Sequence, residues 1–93
     1  MTLTRDRLIG YESDRMVVRF SMIDGQKEEI ACAISTSAMD NLESLARSKP
    51  NEREAQFMTL RDWIEERAAR KFLAMEFEGT PPDIILRSID FET

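Results

Sequence analysis

Apolar residues recur at intervals of three and four between Asn51 and Phe77, at Phe57, Leu60, Ile64, Ala68, Phe72 and Met75. This spacing lays them along one stripe of an α-helix. Glu65, Glu66, Arg70 and Glu76 fall on the other side, which makes one face dry and the other wet. No Gly or Pro interrupts the stretch, while Pro50 precedes it and Gly79-Thr80-Pro81-Pro82 closes it. Asn51 is placed to cap the first turn, with Glu54 three residues on in the capping-box position. A helix of about 25 residues spans nearly 40 Å at 1.5 Å per residue. That is the length of a small domain, so the remaining elements must pack along it.

Upstream the period changes from helical to alternating. Met1 to Asp6 is polar and predicted to be irregular, Leu8 to Tyr11 is a short apolar strand, and Glu12-Ser13-Asp14 reads as a turn. Met16 to Met22 is rich in strand-forming residues, Asp24-Gly25 breaks the run, and Ile30 to Ile34 resumes it, a hairpin signal. Parity sets its register. Met16, Val18, Phe20 and Met22 form the inner face of one strand, and Ile30, Cys32 and Ile34 that of the next. A two-residue loop at Asp24-Gly25 would put Glu29 opposite Phe20. A three-residue loop, Ile23-Asp24-Gly25 with left-handed Gly25, instead pairs Val18 with Ile30 and Met16 with Cys32. The outer face then carries Val17, Arg19, Ser21, Ala31 and Ala33, only half of it polar.

Ser35 is a suitable N-cap for a first helix, with Ile34 stapled onto Met39 and Ala38, Leu42, Leu45 and Ala46 facing inward as far as Ser48. Lys49-Pro50-Asn51 only reverses the chain, so the two helices are expected to be antiparallel neighbours. After the long helix, Ile84-Ile85-Leu86 opens a last strand reaching Phe91, with a bulge near Ser88 to reconcile its two apolar faces. The order is β-β-β-α-α-β. It predicts one α+β domain over residues 1–93, a small antiparallel sheet with two antiparallel helices packed on one face.

Several short pieces resemble a small bacterial family, the domain of unknown function numbered fourteen eighty-eight. They are Tyr11 with its acidic turn, Val18-Arg19-Phe20, Asp24-Gly25, Cys32-Ala33-Ile34-Ser35, Ile64-Glu65-Glu66-Arg67-Ala68, Arg70-Lys71-Phe72 and Ile89-Asp90-Phe91. The resemblance covers nearly the whole chain and implies a compact bacterial α+β domain. It implies no activity, because the family has none assigned.

Composition narrows the chemistry further. A net charge of −5 over 93 residues argues against a dedicated nucleic-acid binder, which needs a basic footprint. It fits a soluble cytoplasmic protein, as does the lack of any apolar run long enough to span a membrane or serve as a signal peptide. There is no histidine, which removes imidazole acid–base chemistry, Ser-His and Cys-His pairs and imidazole-bound zinc. Cys32 is the single thiol, so no internal disulfide forms. It is read as a small core residue, the alternative being a reactive thiol.

The carboxylates, among them Glu65, Glu66 and Asp90, show no metal-loop spacing and read as a solvated face. Arg67, Arg70 and Lys71 read as a local charge lattice with Glu66. No cofactor and no metal is implied. The apolar surplus is the remaining signal. Trp63 lies a third of a turn off the main stripe and Leu73 nearly opposite that stripe, while Val17, Ala31 and Ala33 sit on the outer sheet face. These five are the candidate interface, against the plainer reading that Trp63 is covered within the monomer.

The function this supports is a non-catalytic protein-interaction domain, a homodimer or a module for a partner protein. The alternatives are a histidine-free carboxylate-based or metal-dependent enzyme using Asp90 and Glu65, and a nucleic-acid-linked regulator using Arg67, Arg70 and Lys71.

Overall fold

Alternation along the central strands decides which way the sheet faces. In the computed structural model, which describes residues 3–43, 52–77 and 84–91, the chain runs β1 (Thr4–Glu12), β2 (Val17–Ile23), β3 (Glu29–Ser35), α1 (Thr36–Glu43), α2 (Arg53–Leu73), β4 (Ile84–Leu86) and a short 3₁₀ helix (Ser88–Phe91). The four strands lie in chain order in one sheet. Val18, Phe20 and Met22 of β2 and Cys32 and Ile34 of β3 are buried on its inner face. Ala38 and Met39 of α1 join them in one core with Phe57, Leu60, Ile64 and Ala68 of α2. The Phe20 and Phe57 rings meet with centroids 5.1 Å apart. This is the expected α+β arrangement.

The faces of the β2–β3 hairpin are as expected, but its register is not. Val18 pairs with Ile34, Phe20 with Cys32 and Met22 with Ile30. The turn is a three-residue loop of the expected kind, moved two residues along the chain. Asp24 N–H donates to the Glu28 carbonyl and Lys27 N–H to the Asp24 carbonyl, each at 3.0 Å. The Asp24 carboxylate fixes this position by accepting from Gln26 N–H at 2.8 Å and Glu28 N–H at 2.9 Å, an Asx-type capture of the backbone. The left-handed position therefore falls on Lys27 (φ 66°) rather than Gly25. Met16, expected inside, is exposed at φ 55° in the β1–β2 turn.

Thr4 to Asp6, expected to be irregular, belong to β1, which pairs with β2 through two register shifts. Gly10 sits at the second, with φ 145°, a conformation that side-chain-bearing residues avoid.

Ser35 caps α1 as expected, its hydroxyl accepting from Ala38 N–H at 3.1 Å. Leu45, Ala46, the connection at 49–51 and the Asn51 cap lie outside the described residues. Glu52 stands at the N-cap of α2, and its side chain makes no capping hydrogen bond to the first turn. The helix is 21 residues long and stops at Leu73, because Met75 turns left-handed at φ 59°. There Met75 N–H reaches the Phe72 carbonyl and Glu76 N–H the Lys71 carbonyl, the paired bonds of a Schellman ending. Met75 is therefore exposed instead of completing the apolar stripe.

The last strand also differs from expectation. β4 pairs parallel to β3, with Ile84 beside Cys32 and Leu86 beside Ile34, a connection that needs a long crossover and here contains both helices. It does not reach Phe91. Ile84 and Leu86 are buried on the core side, and the chain then winds into the 3₁₀ helix, which replaces the expected bulge.

Candidate functional site

The charged residues of α2 are where catalytic chemistry had to be sought, and most are tied into the fold. Glu65, expected in water, is almost wholly buried and accepts from Arg5 Nε on β1 at 2.7 Å and Arg61 Nε at 2.9 Å. The hydrogen bonds from Arg5 to Glu65 and then Asp62 raise the guanidinium pKa further above its ordinary value. Arg53, also buried, donates to Asp40 of α1 at 2.7 Å and to Gln56 at 2.8 Å, and Gln56 donates to Asp40 at 3.0 Å. Burial pushes the Asp40 carboxyl up, but its bonds from Arg53 and Gln56 outweigh that and hold it below the usual carboxylate value.

Lys71 forms the third junction. Its buried ammonium donates to the Ile85 carbonyl of β4 at 2.9 Å and lies 3.2 Å from Asp90 Oδ1. Asp90 also accepts from Arg87 N–H at 2.8 Å, and its carbonyl accepts from Arg67 Nε.

These junctions separate the residues of the carboxylate-enzyme reading. Glu65 is held toward β1 and Asp90 toward β4, and those strands are the two opposite edges of the sheet. Each is already neutralised by its own cation. Among the described residues no three His, Cys, Asp or Glu side chains converge as a metal site. Arg67 and Lys71 engage Asp90, and Arg70 pairs with Glu66 at 2.7 Å, so the three cations form no continuous stripe. Cys32 is fully buried, with its thiol 3.6 Å from the Ile30 carbonyl.

The candidate interface residues divide. Trp63 is 51% exposed and meets Phe91 edge-on, with centroids 6.2 Å apart; Leu73 is 56% exposed. Val17 and Ala31 are half-buried. Ala33 is fully buried and presents no surface, since it stands between Arg19 on β2 and Ile85 on β4. The outer face is more polar than expected because β1 supplies partners: Asp6 to Ser21 at 2.6 Å, Glu12 to Arg19 at 3.6 Å and Arg7 to Glu29 at 3.5 Å.

One end of that face is different. Val17, Ile85 and the 72%-exposed Ile89 line a depression of about 570 Å³ with Arg15, Arg87 and Ser37 around it. This place is not legible in the sequence, because it assembles β2, the start of α1, β4 and the 3₁₀ helix, and by its pattern Ile89 reads as a strand residue. The buried polar residues were more accessible: Arg53, Gln56 and Lys71 continue the three-and-four spacing of the apolar stripe.

Among the described residues no helix is long and apolar enough to cross a membrane. The model of the family described as "Protein of unknown function (DUF1488)" matches residues 5–81. A crystal structure of a protein of unknown function from that family, from Shewanella loihica PV-4, has a similar fold, with a TM-score of 0.78 and 17% identity over 92% of this chain and 93% of the other. No curated protein matches the sequence.

Proposed function

We propose, from the premise that the chain belongs to the DUF1488 family of proteins of unknown function, that it is a non-catalytic interaction domain of the bacterial cytoplasm, self-associating as a homodimer through the outward face of α2. The observation that carries this reading is the pair of half-exposed apolar side chains, Trp63 and Leu73. At 3.6 residues per turn they share an arc of about 80° with Glu66 and Arg70 between them. That face bears both signs of charge, so a two-fold axis across it would bring Glu66 of one copy to Arg70 of the other while hiding Trp63 and Leu73. The ion-paired state of Glu65 and Asp90 supports the non-catalytic part.

Sedimentation equilibrium at micromolar concentration tests it. A dimer is expected, and Trp63→Ala is expected to weaken it roughly 30-fold, the equivalent of about 2 kcal/mol at an aromatic anchor. Leu73→Ser should act in the same direction with the circular dichroism spectrum unchanged. A wild-type monomer, or a dimer indifferent to both substitutions, overturns the assignment of this face.

A further inference from the structure

We infer that the dimer proposed above is reciprocal, with Leu73 of each copy seated in a socket beside Trp63 of the other; the inference rests on that reading of α2. The socket is a cavity of about 250 Å³ where α1, α2 and the 3₁₀ helix meet, lined by Ala38, Asn41, Leu42, Trp63, Ser88 and Phe91. Asn41 Nδ2 donates to Ser88 Oγ at 2.8 Å, which ties the two polar wall residues to each other. The rest of the lining is apolar, and Phe91 meets the half-exposed Trp63 ring edge-on, bracing it at one side of the opening. Small-molecule pockets begin at roughly 300 Å³, so this cavity is sized for a single side chain.

Symmetry selects the occupant. Trp63 and Leu73 are centred on Ala68 along α2, and so are Glu66 and Arg70. One two-fold axis at the level of Ala68 therefore carries Leu73 toward Trp63 of the other copy and Arg70 toward Glu66. Glu66 and Arg70 already pair within a copy at 2.7 Å, so the axis gathers four charges of alternating sign. Trp63 and Leu73 stand about 15 Å apart along the helix at 1.5 Å per residue, far enough for both sockets to fill at once. They also differ by about 80° around it, so two helices lying side by side would leave each Leu73 short of its socket. An oblique crossing, such as the ~50° of interlocking i±4 ridges, brings it in. Ser88 and Phe91 then make the C-terminal segment part of the interface.

The test mixes isotope-labelled and unlabelled full-length chains at a concentration where the dimer forms. Isotope-filtered NOE spectra are expected to connect the Leu73 methyls of one copy to the Phe91 ring and Leu42 methyls of the other. Asn41→Trp, at an exposed position on α1, is expected to block the socket and weaken the dimer about tenfold. Its circular dichroism spectrum should match that of the wild type. A dimer that lacks these contacts, or that is weakened by Trp63→Ala but indifferent to Asn41→Trp, overturns the socket and leaves the α2 face standing. A wild-type monomer overturns both.

Discussion

Replacing Lys71 by Met keeps an unbranched side chain one atom shorter and removes its charge from the junction between α2 and the C-terminal segment. The ammonium and the Asp90 carboxylate retain only 9% and 12% of their side-chain exposure, so water screens the pair little. Lys71→Met leaves Asp90 with the Arg87 N–H and leaves the Ile85 carbonyl without the donor at 2.9 Å. Breaking a buried pair from one side costs about 3–5 kcal/mol. At roughly 2 cal/mol/K of unfolding entropy per residue, 3 kcal/mol lowers the midpoint of a chain this size by about 15 °C. Urea denaturation should show a lower midpoint with an unchanged slope. Adding Asp90→Asn to Lys71→Met should cost far less than the sum of the two single changes, because the stranded charge is gone. A single-variant loss below about 1 kcal/mol, or strict additivity in the cycle, would mean that the pair is solvated and the junction contributes little.

Other positions carry their own tests. Lys27→Gly and Met75→Gly each relieve a left-handed residue and are expected to stabilise by up to about 1 kcal/mol, whereas Gly25→Ala should not destabilise; thermal melts decide, and a loss at Lys27 would contradict the loop geometry. Asp40 has a lowered folded pKa, so its contribution is present above the unfolded value and is lost as pH falls through the folded one. Asp40→Asn should accordingly flatten the stability curve on the acid side of pH 4, as measured by urea midpoints across that range. Cys32 should react slowly with a thiol reagent in the native state and quickly once unfolded, and Cys32→Ser should cost roughly 1–3 kcal/mol.

How much the sequence discloses depends on the range of the interaction. The apolar faces of β2 and β3 and the core stripe of α2 follow from local periodicity, and the Ser35 cap from its position before a helical run. The hairpin register does not, because parity leaves shifts by two residues equivalent per strand and the Asp24 carboxylate chooses among them. Glu65 read as solvated because its partner, Arg5, is 60 residues away in a segment expected to be irregular. Lys71 and Asp90 are separated by 19 residues and meet only through the packing of β4. The exposure of Trp63 and Leu73 was legible from their positions off the apolar stripe of α2, but the burial of Ala33 was not, since it depends on Arg19 and on a strand that arrives from the far end of the chain.

That late arrival has a consequence for the order in which the surface of the molecule is completed. β1, β2 and β3 can pair through short turns as soon as they exist, whereas Ile84 must find Cys32 across 52 residues of chain, 84 less 32. Closing so long a loop favours late assembly of β4. The depression at the end of the outer sheet face takes Val17 from the early part and Ile85 and Ile89 from the late part. A partially folded chain therefore displays only half of that surface, and its walls are complete only once β4 is in place. Pulse-labelled hydrogen exchange would reveal this order as protection of β2 and β3 amides before β4; simultaneous protection would remove the distinction.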